Sequence, residues 1–147
     1  MNSLSIVIQG PFGTKEYSKQ AFLKHLEEMR RLFPLSEIIF STWKCDSKAQ
    51  EELRVSLDKL GVVLVISDDP GILEVNDSNG RNRTNVNRLI ISTRAGLDVV
   101  TRPFTVKMRS DCFVRTRDIV ALLEKYISTE NGLFRDKGYS VFQQRVL

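Results

Sequence analysis

Histidine is nearly missing from this chain, with a single copy at His25, and cysteine occurs only twice, at Cys45 and Cys112. A lone histidine set among Lys24, Glu27 and Glu28 reads as an exposed residue on a charged helix face. It gives no start to a zinc site or a Ser-His-Asp triad. Two distant cysteines outside any CxxC pair exclude a disulfide framework and read as reduced thiols. Long apolar runs are also absent: no stretch approaches the ~20 residues needed to cross a bilayer. The short N-terminal run Leu4–Ile8 lacks the basic flank and length of a signal peptide. The expectation is a cytoplasmic protein with no transmembrane segment, peripheral at most to the inner membrane, in which the sequons at Asn76 and Asn82 have no glycosylation meaning. No block of like charges and no basic face interleaved with aromatics is present, which argues against nucleic acid. The 22 Lys+Arg against 18 Asp+Glu leave a scattered net charge of +4, suited to a small anionic ligand.

What the chain does have is a regular alternation. Five runs rich in β-branched and aromatic residues predict strands at Leu4–Ile8, Glu37–Ser41, Val62–Ser67, Phe104–Arg109 and Tyr139–Gln144. The first three are apolar on both faces, as in a parallel sheet covered by helices on either side. Helical stripes fill the gaps. Phe22, Leu26, Met29 and Phe33 mark a helix over about Glu16–Phe33, which Pro34 stops. Ala49, Leu53, Leu57 and Leu60 mark a second over Lys48–Leu60, followed by Gly61. A third runs over Asn85–Val100, and a fourth starts near Thr116 as N-cap. The polar stretch Asn76–Arg83 reads as a mobile loop. The order β-α-β-α-β-loop-α-β-α-β predicts one α/β domain over residues 1–147, with an open, doubly wound, mostly parallel, Rossmann-like sheet.

In such a sheet, ligands bind beyond the carboxyl ends of the strands. That rule selects Gln9-Gly10-Pro11, then Thr42-Trp43, then Asp68-Asp69-Pro70-Gly71, then Arg109-Ser110-Asp111. Gly10 allows close backbone approach and Gln9 offers an amide donor and acceptor, although an ordinary strand-to-helix turn explains both equally. Neither a Walker A loop nor a GxGxxG is present. Trp43, the only tryptophan, is placed in a loop, where it either stacks on a base or sugar or packs over the sheet edge. Asp69 accepts from a nucleobase or ribose, or serves the turn. Asn87 and Arg88 near the start of the third helix suit a diphosphate. Lys107 and Arg109 alternate along the fourth strand and so share a face, with Asp111 at its end. They serve either an anion site or a salt-bridged cluster.

These fragments resemble, in order, the WavE lipopolysaccharide-synthesis family, glycosyltransferase-like proteins of the GT-A nucleotide-diphosphosugar class. The resemblance rests on Ile8-Gln9-Gly10-Pro11, Phe33-Pro34, Glu37–Trp43, Asp69-Pro70-Gly71, Asn85–Arg88 with Ser92-Thr93 and Gly96-Leu97, and Lys107–Asp111. It implies a nucleotide-diphosphosugar donor, a lipopolysaccharide or capsular glycan acceptor, and a DxD-type motif holding Mn²⁺ or Mg²⁺ on the diphosphate. Asp111 matches the second acid of that motif, and Arg109 stands at the first. The resemblance therefore assigns Gln9, Gly10, Pro11, Thr42, Trp43 and Asp69 to the nucleotide. Asn87, Arg88, Lys107, Arg109 and Asp111 go to the diphosphate and sugar, with Asp111 the one metal ligand. A GT-A domain continues past its fifth strand, so the chain reads as the N-terminal, nucleotide-sugar-binding portion of a longer enzyme. The alternative is a non-catalytic nucleotide-binding or interaction module of the same fold. A receiver domain of flavodoxin type is disfavoured, because Gln9-Gly10 stands where an acidic pair belongs.

Overall fold

The computed structural model describes residues 4–14, 17–78 and 80–121. The chain divides into two compact units, Met1–Val114 and Arg115–Leu147. In the first, the apolar runs form four parallel strands: β1 (Leu4–Gln9), β2 (Glu37–Trp43), β3 (Val62–Ser67) and, after a hairpin, β6 (Phe104–Arg109). Their order in the sheet is β3-β2-β1-β6. The chain thus steps outward from β1 to β3, then returns to pair β6 with the other edge of β1, Leu4 opposite Phe104 and Gln9 opposite Arg109. The strand order reverses between β1 and β6, where an open α/β sheet parts its loops and makes room for a ligand.

Helices cover both faces, as the apolar runs predict. Helix α1 (Lys19–Leu32) begins three residues later than its stripe suggested, because the Ser18 hydroxyl accepts from the Ala21 N–H at 3.1 Å and caps it there. Its Phe22 ring lies 4.6 Å from Phe40 of β2, so α1 sits on the face bearing Ile38 and Phe40. Helix α2 (Ser47–Lys59), capped by Asp46, buries Leu53 and Leu57. Helix α3 (Val86–Asp98) lies on the opposite face, with Gly96 against Val7 and Ser41. The guanidinium of Arg30 ties the first layer together, donating to the carbonyls of Leu60, Ser36 and Gly61 at 2.9, 2.8 and 2.7 Å.

Three expectations are corrected. The polar stretch around Asn76–Arg83 is an antiparallel hairpin, β4 (Leu73–Asp77) with β5 (Gly80–Thr84), in which Glu74 pairs with Arg81 and Arg83. Cross-strand ion pairs and ladder bonds hold it, which no hydrophobic period announces. Strand β2 runs on through Thr42 and Trp43, because β3 continues beside it as far as Ser67 opposite Trp43. His25, expected on an exposed face, is 3% exposed, since it fills a place in the same stripe as Phe22, Leu26 and Met29. In the second unit residues 118–121 are helical, and the Asp118 N–H donates to Thr116 Oγ1 at 3.4 Å. The remainder of that helix and the strand expected at Tyr139–Gln144 lie outside the described residues.

Candidate functional site

Two clusters of polar side chains stand at the carboxyl ends of the strands. The first is built from β2, the turn after β3, and the start of α3. Alternation puts Glu37, Ile39, Ser41 and Trp43 on the α3 side of β2, and leaves Thr42, 3% exposed, on the α1 side. Thr42 is therefore core and does not join Trp43. Asp69 follows β3, its Oδ1 accepting from the Gly71 N–H at 3.0 Å to form the turn. Arg88 rises from the first turns of α3 and closes the cluster. Its Nε and one terminal nitrogen donate to the two Asp69 oxygens at 2.7 and 2.5 Å, and its other terminal nitrogen donates to Asn85 Oδ1 at 3.1 Å. The guanidinium carbon lies 5.2 Å from the Trp43 ring centroid. The Arg88 hydrogen bonds hold the Asp69 carboxyl below its usual range, against a smaller opposing effect of burial, and the pairing pushes Arg88 up in turn.

The second cluster ends β6. Arg109 donates to both oxygens of Asp111 at 2.8 and 2.5 Å, and this bonding keeps Asp111 below the usual carboxylate range. The two side chains are 63% and 44% exposed, so the pair adds little stability, and its carboxylate and guanidinium remain within reach of a ligand. Lys107 shares the sheet face with Arg109 as the period demands, but it lines a separate apolar groove of about 510 Å³ with Leu89, Ile90, Arg94 and Leu97. Lys107, Arg109 and Asp111 thus do not form one group. Asn87 is half-buried at the start of α3.

Between the clusters lies a buried floor. Gln9, 4% exposed, accepts from the Ser92 hydroxyl at 2.9 Å, so its amide ties β1 to α3. Gly10 takes φ +140°, and its backbone N–H donates to the Ser41 carbonyl at 3.2 Å. Its close approach is to Ser110, whose own N–H donates to the Gln9 carbonyl at 2.8 Å. Pro11 follows, half-buried.

A metal finds a poor fit here. Asp111 is one carboxylate with both oxygens already engaged by Arg109, and the described residues contain no group of three His, Cys, Asp or Glu side chains placed to hold an ion.

Sequence reasoning missed the support beneath the segment after Asp111. The His25 ring packs 4.3 Å from Phe113, Tyr17 lies 5.2 Å from Phe113, and Phe22 packs against Phe12 and Tyr17. Helical spacing from Phe22 was the available signal for His25. Burial lowers its pKa, with Glu28 and a backbone hydrogen bond with Cys112 opposing, and Nε2 has no partner among the described residues. The folded protein therefore takes up a proton on His25 less readily than the unfolded chain, which does so below about 6.5. Stability present above that pH is lost as pH falls, by up to about 1.4 kcal/mol per pH unit. Urea titrations from pH 7.5 to 5 should show this slope and its absence in His25→Leu; the same slope in both proteins would refute the assignment.

Comparison with known proteins adds one match. The family described as WavE lipopolysaccharide synthesis matches residues 4–147. No curated protein and no solved structure matches the chain. No helix among the described residues is long and apolar enough to cross a membrane.

Proposed function

Because the chain belongs to the WavE lipopolysaccharide-synthesis family, we propose that it binds a nucleotide-diphosphosugar as the donor-site part of a glycosyltransferase, for transfer of the sugar to a lipopolysaccharide or capsular glycan. The observation that carries this reading is the convergence of Trp43, Asp69 and Arg88, from three separate elements, beyond the carboxyl ends of β2 and β3. An indole beside a carboxylate supplies stacking and hydroxyl recognition, which a nucleoside requires. In the transfer, the bond from the anomeric carbon to the diphosphate oxygen breaks, and an acceptor hydroxyl oxygen forms the new bond while its proton passes to a base or to the departing diphosphate. Negative charge then gathers on the departing diphosphate. The guanidinium of Arg109 is bidentate to Asp111 but 63% exposed, with its second terminal nitrogen outside that pair, and in this reading it offsets that charge. Lys107 faces the groove along α3, and Asn87 is half-buried at the start of that helix. The same geometry serves a non-catalytic nucleotide-binding module, and both guanidinium groups being closed on their own carboxylates favours keeping that reading.

Calorimetric titration with UDP, GDP, CDP and CMP, with and without Mn²⁺, tests the donor reading. Micromolar binding of one nucleotide is expected. Tightening by Mn²⁺ that Asp111→Asn removes would mean that Asp111 leaves Arg109 for a cation. Failure of all four nucleotides to bind would defeat the donor site, whereas donor hydrolysis or sugar transfer would eliminate the non-catalytic module.

A further inference from the structure

Each nitrogen of the Arg88 guanidinium makes one hydrogen bond, so three of its five N–H donors are engaged. Its fork is taken by the two oxygens of Asp69, its remaining terminal nitrogen donates to Asn85, and its central carbon lies over the Trp43 ring. A group so occupied is poorly available to a phosphate, since capturing one would first require breaking a bidentate pair of 2.7 and 2.5 Å. Asp69 is not saturated in the same way. Of about four acceptor positions on a carboxylate, Arg88 uses two and the Gly71 N–H a third, which leaves one on Oδ2. The indole of Trp43 is half-buried and keeps part of its surface open.

From this we infer that Arg88 is a positioning residue for the nucleoside, not a ligand of the diphosphate: it holds the Trp43 indole and the Asp69 carboxylate at a fixed separation, as two walls of a slot for base and ribose. The inference rests on the donor reading above and assigns the parts within it. Asp69 presents its open lone pair to a ribose hydroxyl, and Trp43 offers its surface to the base. Asn85 aligns the guanidinium, which explains why its side chain makes no capping bond to the α3 backbone. A lysine at position 88 would keep the charge but lose the planar fork and the stack. That difference separates positioning from simple charge.

The test uses Arg88→Lys and Arg88→Met in the full chain, each first shown to keep the thermal midpoint of the unaltered protein within a few degrees. Trp43 is the sole tryptophan, so its fluorescence reports the slot with no ligand present. Both variants should show red-shifted emission and at least twofold greater acrylamide quenching; unchanged emission would overturn the Arg88–Trp43 coupling. Calorimetry then compares the nucleoside, its monophosphate and its diphosphate. Positioning predicts a loss of about tenfold, equal for the three ligands and the same in both variants. A loss that grows with phosphate number, with Arg88→Lys near the unaltered protein, would make Arg88 a diphosphate ligand and overturn the inference while sparing the donor reading. Absence of nucleotide binding by the unaltered protein would overturn the donor reading itself, and the nucleoside slot with it.

Discussion

Gly10→Ala should destabilise the protein by about 3 kcal/mol or more and weaken nucleotide binding in the molecules that still fold. Two independent costs meet at this position. The backbone of Gly10 has φ +140°, a conformation that L side chains rarely adopt, and holding a non-glycine residue there costs about 1–3 kcal/mol. A Cβ on Gly10 would also stand 2.3 Å from Ser110 Oγ and 3.1 Å from Ser110 Cβ, an overlap worth about 1–3 kcal/mol. Ser110 is 3% exposed and bonded through its N–H to the Gln9 carbonyl, so it has little room to retreat. The strain falls where the loop after β1 meets the loop after β6, and the Arg109–Asp111 pair should be displaced with it. Adding Ser110→Gly to Gly10→Ala should recover the steric share and leave the backbone share, a separation that urea titration of the single and double variants measures. A single variant as stable as the parent would mean that the two loops are not in contact.

Gly96→Val should be comparably damaging, about 3 kcal/mol, for a purely steric reason. The backbone at Gly96 is ordinary helix, and alanine there would gain about 1 kcal/mol of helix propensity if space allowed. Space does not allow it. A Cβ would lie 2.7 Å from Val7 Cγ1 and 2.9 Å from Ser41 Cβ, both on the buried central strands. Valine adds two more methyl groups and lacks alanine's propensity. Helix α3 would have to lift from β1 and β2, which would break the Ser92–Gln9 hydrogen bond and carry Arg88 away from Asp69 and Trp43. Gly71→Ala is the contrast. Its φ is +77°, but nothing lies within 4 Å of the added Cβ, so its cost is limited to the backbone, about 1–2 kcal/mol. Urea midpoints in the reverse order would contradict the close packing of α3.

The legibility of this fold follows burial. Strands β1 and β2 could be read because Ile6, Val7 and Ile8, and Ile38, Ile39 and Phe40, are apolar on successive positions and buried on both faces; β3 is read from its apolar run Val62–Ile66, and β6 from the alternation of Phe104, Val106 and Met108 with Thr105, Lys107 and Arg109. The hairpin escaped detection because its strands alternate nothing hydrophobic on their charged face and are held by Glu74 with Arg81 and Arg83. Trp43 was placed in a loop because Ser41 and Thr42 look like a strand end, although β3 keeps β2 extended beside it. At the candidate site, the strand-end rule selects Trp43, Asp69, Arg109 and Asp111, and the start of the third helix selects Arg88. What no spacing could show is which cation meets which carboxylate: Arg88 and Asp69 are 19 positions apart. Arg109 and Asp111, two apart, were readable as neighbours but not as a bidentate pair. Nor does spacing show that Gln9 Oε1 accepts from Ser92 beneath the site or that Thr42 lies on the opposite face of the sheet.

The return of β6 to the far side of β1 also sets an order of events during folding. Strand β1 pairs with β2 across about 32 positions, Ser5 with Glu37, but with β6 across about 100, Leu4 with Phe104. Closing the longer loop costs about 1 kcal/mol more in chain entropy, and contacts so distant in sequence slow the search for the native arrangement. On a ribosome the difference is absolute, because β1, β2 and β3 are made well before β6. Until β6 arrives, one edge of β1 lacks its partner, Gly10 has no Ser110 to rest against, and Arg109 and Asp111 are not yet in place. The side of the crevice built by Trp43, Asp69 and Arg88 is therefore complete in chain order by Arg88, and its β6 side closes last.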